Sequence, residues 1–371
     1  MSDNTIGVVI VSYGHEQDVA NLVDSVADQL RDGDRVVVVD NRKPWVLESV
    51  VGKRLLAHNG PNASSRHNGN SHALSHNRVQ IINHDNGGFA AGCNVGAARI
   101  QDEVDLLFFL NPDTVIEDPT LFDTLRRVDE QWAAFMPYLL LPDGTINSAG
   151  NALHISGLSW VTGLDELPVG LHPNDTTDTP EVTDISIASG ACMVVRTPWW
   201  KKLGGMEELY FMYHEDTDFS ARLLLAGARI GLVHSGYVTH HYDYAKGDYK
   251  WIYIERNRHV LLLSVLPLPA LVVLAPQILG ANLGLWAIAA KENRLRLKVT
   301  SLRLLIRDLP KIFALRKKTQ QLAQLNGAQY LQKMEWRFDN PNLGALGTNK
   351  VVNRVYRTYY QACAAILRLF A

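Results

Sequence analysis

Short apolar runs recur along the N-terminal part of the chain, and each stops at a small polar cluster. Val8-Val-Ile-Val11 stops at Ser12-Tyr13-Gly14, and Arg35-Val-Val-Val-Val39 stops at Asp40-Asn41. Val79-Gln-Ile-Ile82 leads into Asn83-His-Asp-Asn-Gly-Gly88, and Leu106-Leu-Phe-Phe-Leu110 ends at Asn111-Pro112-Asp113. Segments of helical spacing lie between them. One runs from about Val19 to Leu30 with Leu22, Val23 and Val26 on its apolar side, another from Ala90 to about Ile100. Runs without polar alternation suit strands covered on both faces, and helices between them are the crossovers that parallel strands need. The expected fold is α/β, a mostly parallel sheet with helices on both faces. Ligands of such sheets sit outside the carboxyl ends of the strands, which is where the polar clusters fall.

The formal net charge of -2 conceals a division. From Lys250 onward there are 19 Lys and Arg against 5 Asp and Glu; residues 1–249 hold 17 basic and 33 acidic residues. A basic C-terminal region calls for an anionic partner, a membrane surface or nucleic acid. No recognised nucleic-acid motif accompanies the charge, which favours the membrane. Cys93, Cys192 and Cys363 are too few and too far apart for a disulfide framework or a Cys-rich zinc site, and a reducing compartment fits. The opening Met1-Ser-Asp-Asn-Thr-Ile6 has no basic stretch leading into an apolar one, so no signal peptide is expected.

Residues 57–77, rich in Asn, Ser, His and Gly, read as a mobile polar insertion. Their histidines (His58, His67, His72, His76) lack the regular spacing of a metal site. A second loop, Gly163 to Thr183, is expected to cover or border the site. From Val260 to Ala290 there is no charge, more than one membrane span requires. Pro267, Pro269, Pro276, Gly280 and Gly284 interrupt it and basic residues flank both ends, so two shallow apolar helices returning to one face are expected; a buried hairpin is the alternative. Lys291 to Lys318 reads as a basic amphipathic segment broken or kinked at Pro310, and Val351 to Leu369 as one more amphipathic helix.

Three local patterns carry chemistry. Asp113 follows a strand and a proline; a carboxylate there can hold Mg²⁺ or Mn²⁺ together with substrate phosphates, although Asn-Pro-Asp is also a common turn. His214-Glu-Asp-Thr-Asp218 precedes a helical pattern, and carboxylates at a helix N-terminus are stabilised by the dipole. One of them can cap the helix or take a proton from an incoming hydroxyl. His240-His241 ends a further apolar stretch and can supply a neutral imidazole to a metal.

In this order the motifs resemble one family, the inverting GT-A glycosyltransferases of family 2, in their rhamnosyltransferase-like bacterial branch. The match runs over about residues 6–260 and rests on Val8–Tyr13, Val38-Val-Asp-Asn41, Asn86–Gly96, Leu110-Asn-Pro-Asp-Thr114, Pro142-Asp-Gly144, Ser189-Gly-Ala191, Gly204-Gly-Met-Glu-Glu208, Phe211–Asp218, His240-His-Tyr242 and Glu255-Arg-Asn-Arg258. The resemblance implies a GT-A catalytic domain over 1–255 and a nucleotide-diphosphate sugar donor (dTDP-rhamnose or a UDP-sugar); the apolar and basic patterns make 256–371 a helical region expected to associate with the membrane. Ser12, Tyr13, Asp40, Asn86, Gly87, Gly88, Asn111 and Asp113 would bind the donor. Asp113 and His240 would hold Mg²⁺ or Mn²⁺, and Asp216 would be the general base with Glu215 as the fallback. The acceptor would be a lipid-linked or growing cell-surface glycan at the cytoplasmic face of the membrane. The sequence departs from the commonest family pattern in Ser12-Tyr-Gly14, in Arg42-Lys43 after Asp40-Asn41, and in Gly204-Gly-Met-Glu-Glu208. Arg42 and Lys43 either touch the diphosphate or are solvated. Two other readings stand beside this one: a sugar-phosphate nucleotidyltransferase, disfavoured by the lack of a Gly-rich phosphate loop between Val8 and Glu16, and a non-catalytic glycan- or nucleotide-binding subunit of a membrane assembly.

Overall fold

The structure, a computed structural model, describes residues 4–47, 50–51, 78–173, 177–242, 247–338 and 350–370. The insertion 57–77 and its histidines lie outside the described residues. The apolar runs form β1 (Ile6–Ser12), β2 (Arg35–Asp40), β3 (Val79–Asn83) and β4 (Leu106–Leu110), with α1 (Glu16–Ala27) and α2 (Phe89–Ile100) as crossovers. β1 pairs in parallel with β2 and β4, and β2 with β3, giving the order β3-β2-β1-β4. Their side chains are buried along almost the whole of β1, β2 and β4, as strands covered on both faces require. Helix α2 approaches closely through Gly92 and Gly96; a Cβ on either would stand 2.5 Å from a methyl of Val11 or Val9.

The sheet then continues in mixed fashion. The next elements are β5 (Thr114–Val115), α3 (Leu121–Arg126), β6 (Trp132–Leu140), β7 (Ile146–Ser148), β8 (Asn151–Leu153), β9 (Ser159–Val161), β10 (Val182–Asp184), β11 (Cys192–Arg196), α4 (Thr197–Leu203), α5 (Glu215–Leu225) and β12 (Arg229–His240). Antiparallel β11 joins β4 to β6, and β6 pairs in parallel with β12. At the far end of β12, His240 pairs with Thr114 of β5, which brings the end of this strand to the Asn-Pro-Asp turn. The result is the expected α/β sheet, a parallel half extended by strands of mixed direction.

The C-terminal region is helical: α6 (Tyr249–Val265), α7 (Leu268–Lys291), α8 (Leu295–Gln320), α9 (Gly327–Leu331) and α10 (Lys350–Arg368). In place of two shallow helices within 260–290, Val260–Leu262 and Ser264–Leu266 are buried in the core and α7 is one helix of 24 residues. The chain turns at Pro267. Pro269 falls in the first turn of α7, where its missing N–H has no partner to lose, and the helix runs through Pro276. Helix α8 likewise runs through Pro310 without ending there. Val260, Leu274, Ile312, Leu331 and Leu367 belong to the same apolar core as the sheet, and α6 spans position 255 without a break. Helix α7 is long and apolar enough to cross a bilayer by length and composition.

Candidate active site

The polar strand ends converge on a cleft of about 830 Å³. Of the residues nominated by sequence, Ser12, Tyr13, Asn86, Gly88, Asn111, Asp113, Glu215, Asp216 and His240 all line it. Asp40 and Gly87 stand outside the lining. The Asp40 side chain is buried and accepts a hydrogen bond from Arg42 N at 3.1 Å. Its neighbour Asn41 reaches the cleft, donating to Gly88 O at 3.3 Å. Arg42 and Lys43 turn to surface carboxylates, Arg42 to Glu16 at 2.6 Å and Lys43 to Asp85 at 2.5 Å. Leu164, from the Gly163–Thr183 loop, borders the cleft.

On the donor side, Asn86 Oδ1 accepts from Gly88 N at 3.0 Å and tightens the turn before α2. Gly88 has φ +93°, and a Cβ there would overlap the carbonyl of Phe211. The glycine is therefore required by a close approach of the protein's own backbone. That approach carries a hydrogen bond, Phe89 N to Phe211 O at 2.8 Å. It ties the Asn86–Gly88 turn to the loop that leads into α5.

That loop is strained. Phe211, Tyr213 and His214 have φ of 63°, 64° and 70°, a region where a residue with a Cβ costs about 1–3 kcal/mol. Helix α5 starts immediately afterwards with Glu215, Asp216 and Asp218 in its first turn, where the helix dipole favours negative charge. The three carboxylates then take different roles. Asp218 is fully buried and bound to Arg222 Nε at 2.7 Å and to the Tyr210 hydroxyl at 3.0 Å, so it braces the fold. Asp216 Oδ2 accepts from Gly190 N at 2.9 Å, and its Oδ1 accepts from Thr217 N at 2.6 Å. Burial raises the Asp216 carboxyl above the ordinary carboxylate range while these N–H groups oppose the rise. Glu215 is pushed up to about 8, chiefly by burial and secondly by the Asp216 charge, and its Oε2 has no hydrogen-bond partner. Two adjacent carboxyls whose environments push them apart divide into a proton-bearing group and a carboxylate. Of the two, Asp216 has the N–H donors that favour a charged form, whereas Glu215 Oε2 has none. His214, lowered to about 4 by burial and then by Arg258, is neutral.

Across the cleft, His240 Nε2 lies 3.2 Å from Asp113 Oδ1, and its Nδ1 lies 2.9 Å from Asn147 Oδ1. A carboxylate oxygen and an imidazole nitrogen so placed fit the donor set of a divalent ion that keeps its remaining positions for phosphate and water. Among the described residues no third His, Cys, Asp or Glu completes a protein-only metal site.

Sequence reasoning did not nominate Asn147, Gly190 or His214 for roles in the cleft. Gly190 contributes through its backbone N–H, to which a sequence pattern is blind. Asn147 acts only because β7 pairs with β6 beside β12. The signal for His214 was present as the residue before the carboxylates.

A cleft at the carboxyl ends of this sheet, holding an adjacent carboxyl pair and a carboxylate–imidazole pair, fits a glycosyltransferase of the GT-A type. No family model matches the chain. It is 24% identical over 254 residues to rhamnosyltransferase WbbL of Escherichia coli, covering 63% of this chain and 83% of that protein. It is 30% identical over 151 residues to the N-acetylglucosaminyl-diphospho-decaprenol L-rhamnosyltransferase of Mycobacterium tuberculosis, covering 38% of this chain and about half (49%) of that one. A crystal structure of S. aureus TarS with UDP covers 99% of this chain and 92% of that one at 14% identity and a TM-score of 0.47. The chain is similar to these rhamnosyltransferases, and it is a glycosyltransferase of the hexosyltransferase class.

Proposed function

We propose that the chain is a family 2 enzyme that moves a sugar, with inversion, from a nucleoside-diphosphate donor to a lipid-linked or growing cell-surface glycan at the cytoplasmic face of the membrane. The observation that carries this reading is the placement of Asp216 and the Asp113–His240 pair in one cleft with the Asn86–Gly88 turn. Ser12, Tyr13 and Asn41 bind the base and ribose side of the donor, and Asn86, Gly88 and Asn111 frame its diphosphate. Asp113 and His240 would hold a divalent ion there, Mg²⁺ or Mn²⁺, and such an ion would supply positive charge to stabilise the departing nucleoside diphosphate.

Asp216 is the base. Its Oδ2 is oriented by Gly190 N–H, which fixes the carboxylate at the mouth of α5. It takes the proton of the acceptor hydroxyl as that oxygen attacks the anomeric carbon from the face opposite the leaving group, so one displacement inverts the configuration. Burial raises the basicity of Asp216 and so favours this transfer. Glu215, uncharged beside it, leaves the pair with a single negative charge.

Membrane association is supported by the outward faces of α7 and α8. Leu268, Val272, Leu279 and Leu283 are exposed on α7. On α8, exposed Leu295, Val299, Leu302, Ile306 and Phe313 alternate with exposed Arg296, Arg303, Arg307 and Lys311. Apolar side chains interleaved with cations suit an anionic lipid surface. The polyprenol-linked sugar in the name of the mycobacterial relative supports a lipid-linked acceptor.

The test is turnover of a panel of nucleotide sugars with Mg²⁺ or Mn²⁺ and polyprenol-linked acceptors, with the product's anomeric configuration read by NMR. Inverted product is expected. Donor binding without transfer or hydrolysis across the panel would favour a non-catalytic binding subunit. Pyrophosphate release from a nucleoside triphosphate and a sugar phosphate would favour a nucleotidyltransferase.

A further inference from the structure

The segment Glu255-Arg-Asn-Arg258 has no part in the chemistry above, yet it lies in the middle of α6 with Arg256, Asn257 and Arg258 buried. Asn257 is wholly buried, and its Nδ2 stands 2.9 Å from Tyr210 O, 2.9 Å from Met212 O and 2.7 Å from Tyr213 O. These carbonyls flank or belong to the residues held at positive φ directly before Glu215 and Asp216. The amide's orientation is fixed from its other end. Arg256, which can only donate, donates to Asn257 Oδ1 at 2.7 Å, so the NH₂ group must face the carbonyls. The same guanidinium donates to Leu209 O at 2.6 Å and pairs with buried Asp308 of α8 at 2.5 Å. One amide thus gathers three carbonyls of a loop whose φ values would otherwise relax, and a buried arginine–aspartate pair holds that amide in place.

We propose that Asn257 is a positioning residue for the reaction: from the C-terminal helical region it sets the Tyr210–His214 loop, and through it the Glu215–Asp216 pair, against the donor-side turn at Gly88. The opposite side of the loop is fixed by Phe89 N to Phe211 O. Asn257 touches neither substrate nor metal in this arrangement. It acts by fixing where α5 begins.

This rests on the transferase reading for its activity arm only. Asn257→Asp keeps the shape, removes both N–H donors and places a carboxylate against the three carbonyls. The expected result is a kcat lowered at least 30-fold, a donor KM within threefold of wild type, and amide exchange over 211–217 accelerated at least tenfold while exchange in β4 and β11 is unchanged. Arg256→Lys, which keeps the cation but not the fork, is expected to fall between the two. A folded Asn257→Asp protein with wild-type kcat, or with unchanged exchange over 211–217, overturns the proposal. Should that variant not fold, Asp308→Asn is measured in its place; it loosens Arg256 without touching Asn257, and the same two readouts decide. If the wild-type chain transfers no sugar, that result bears on the proposed function, and the exchange arm alone decides whether Asn257 sets the loop.

Discussion

His240 Nε2 lies 3.2 Å from Asp113 Oδ1, although the two residues are 127 positions apart. The backbone brings them together: His240 pairs with Thr114 across β12 and β5, and His241 N donates to Asp113 O at 2.8 Å. The other ring nitrogen, Nδ1, lies 2.9 Å from Asn147 Oδ1, so both nitrogens of His240 are held by oxygen partners. A carboxylate oxygen and an imidazole nitrogen this close together can be ligands of one divalent ion.

Transfer is therefore expected to stop in excess chelator and to return with Mg²⁺ or Mn²⁺. Asp113→Asn and His240→Ala should each weaken the metal dependence of turnover, raising the Mn²⁺ concentration for half activity by about 10–100-fold, the loss typical when a metal site is disturbed. Full activity of the wild type in chelator would remove the metal from the mechanism.

Asp216→Asn should lower kcat by about 10²–10⁴, the usual contribution of a general base. The fold should survive, because the one amide oxygen can still accept from Gly190 N or from Thr217 N, losing the other bond, and an uncharged group there no longer opposes burial. The check is a turnover assay beside a thermal melt. Normal turnover in a folded variant would assign the base elsewhere, with Glu215 the next candidate.

Glu215 makes stability depend on pH in a defined direction. Its folded pKa, about 8, is above the ordinary 4.5, so the folded chain holds a proton that the unfolded chain releases. That stabilisation is complete below about 4.5 and is lost as pH rises through 8. His214 acts oppositely, its value lowered from 6.5 to about 4, so its contribution is lost as pH falls through that interval. Between 6.5 and 8 the Glu215 effect is no longer offset by His214. Stability should fall there by up to about 1.4 kcal/mol per pH unit. Denaturant unfolding of the wild type and Glu215→Gln at both ends of this window is the measurement; an equal slope in the two would refute the assignment.

The strand order and the converging polar ends were legible in the sequence because each parallel strand is a local apolar run and its loop a local polar cluster. Asp113, Asp216 and His240 each terminate or begin such an element, so their proximity follows from the fold. The brace on the loop before Glu215 was not legible. The positive φ of Phe211, Tyr213 and His214 falls on residues that carry side chains, so no glycine marks it, and the amide that holds them comes from Asn257, more than 40 residues later. The shape of 260–290 was misread for a related reason. Proline was weighed as a breaker, whereas Pro269 and Pro276 are tolerated in α7 by position and by packing of its other side, Ala270, Leu274 and Ile278, against the core.

The exposed side of α7 leads to the final prediction. Leu279 and Leu283 are 62% and 73% exposed, one turn apart, and Gly280 and Gly284 beside them have open space where a Cβ would stand. The opposite side of the helix is anchored, with Gln277 donating to the Tyr356 hydroxyl at 2.8 Å and the Tyr359 hydroxyl donating to Val273 O at 2.8 Å. Replacing both leucines by glutamate should therefore leave the fold intact while removing two apolar side chains from any lipid contact. At about 1.5 kcal/mol or more for each leucine withdrawn from an apolar environment, binding to vesicles containing anionic lipid should weaken at least about a hundredfold. Added salt should weaken wild-type binding by screening Arg296, Arg303, Arg307 and Lys311. Transfer to a water-soluble acceptor should stay within twofold of wild type, since neither leucine lines the cleft. Co-sedimentation with vesicles, paired with that assay, separates location from chemistry: unchanged vesicle binding by the double variant would mean that this face of α7 does not meet lipid.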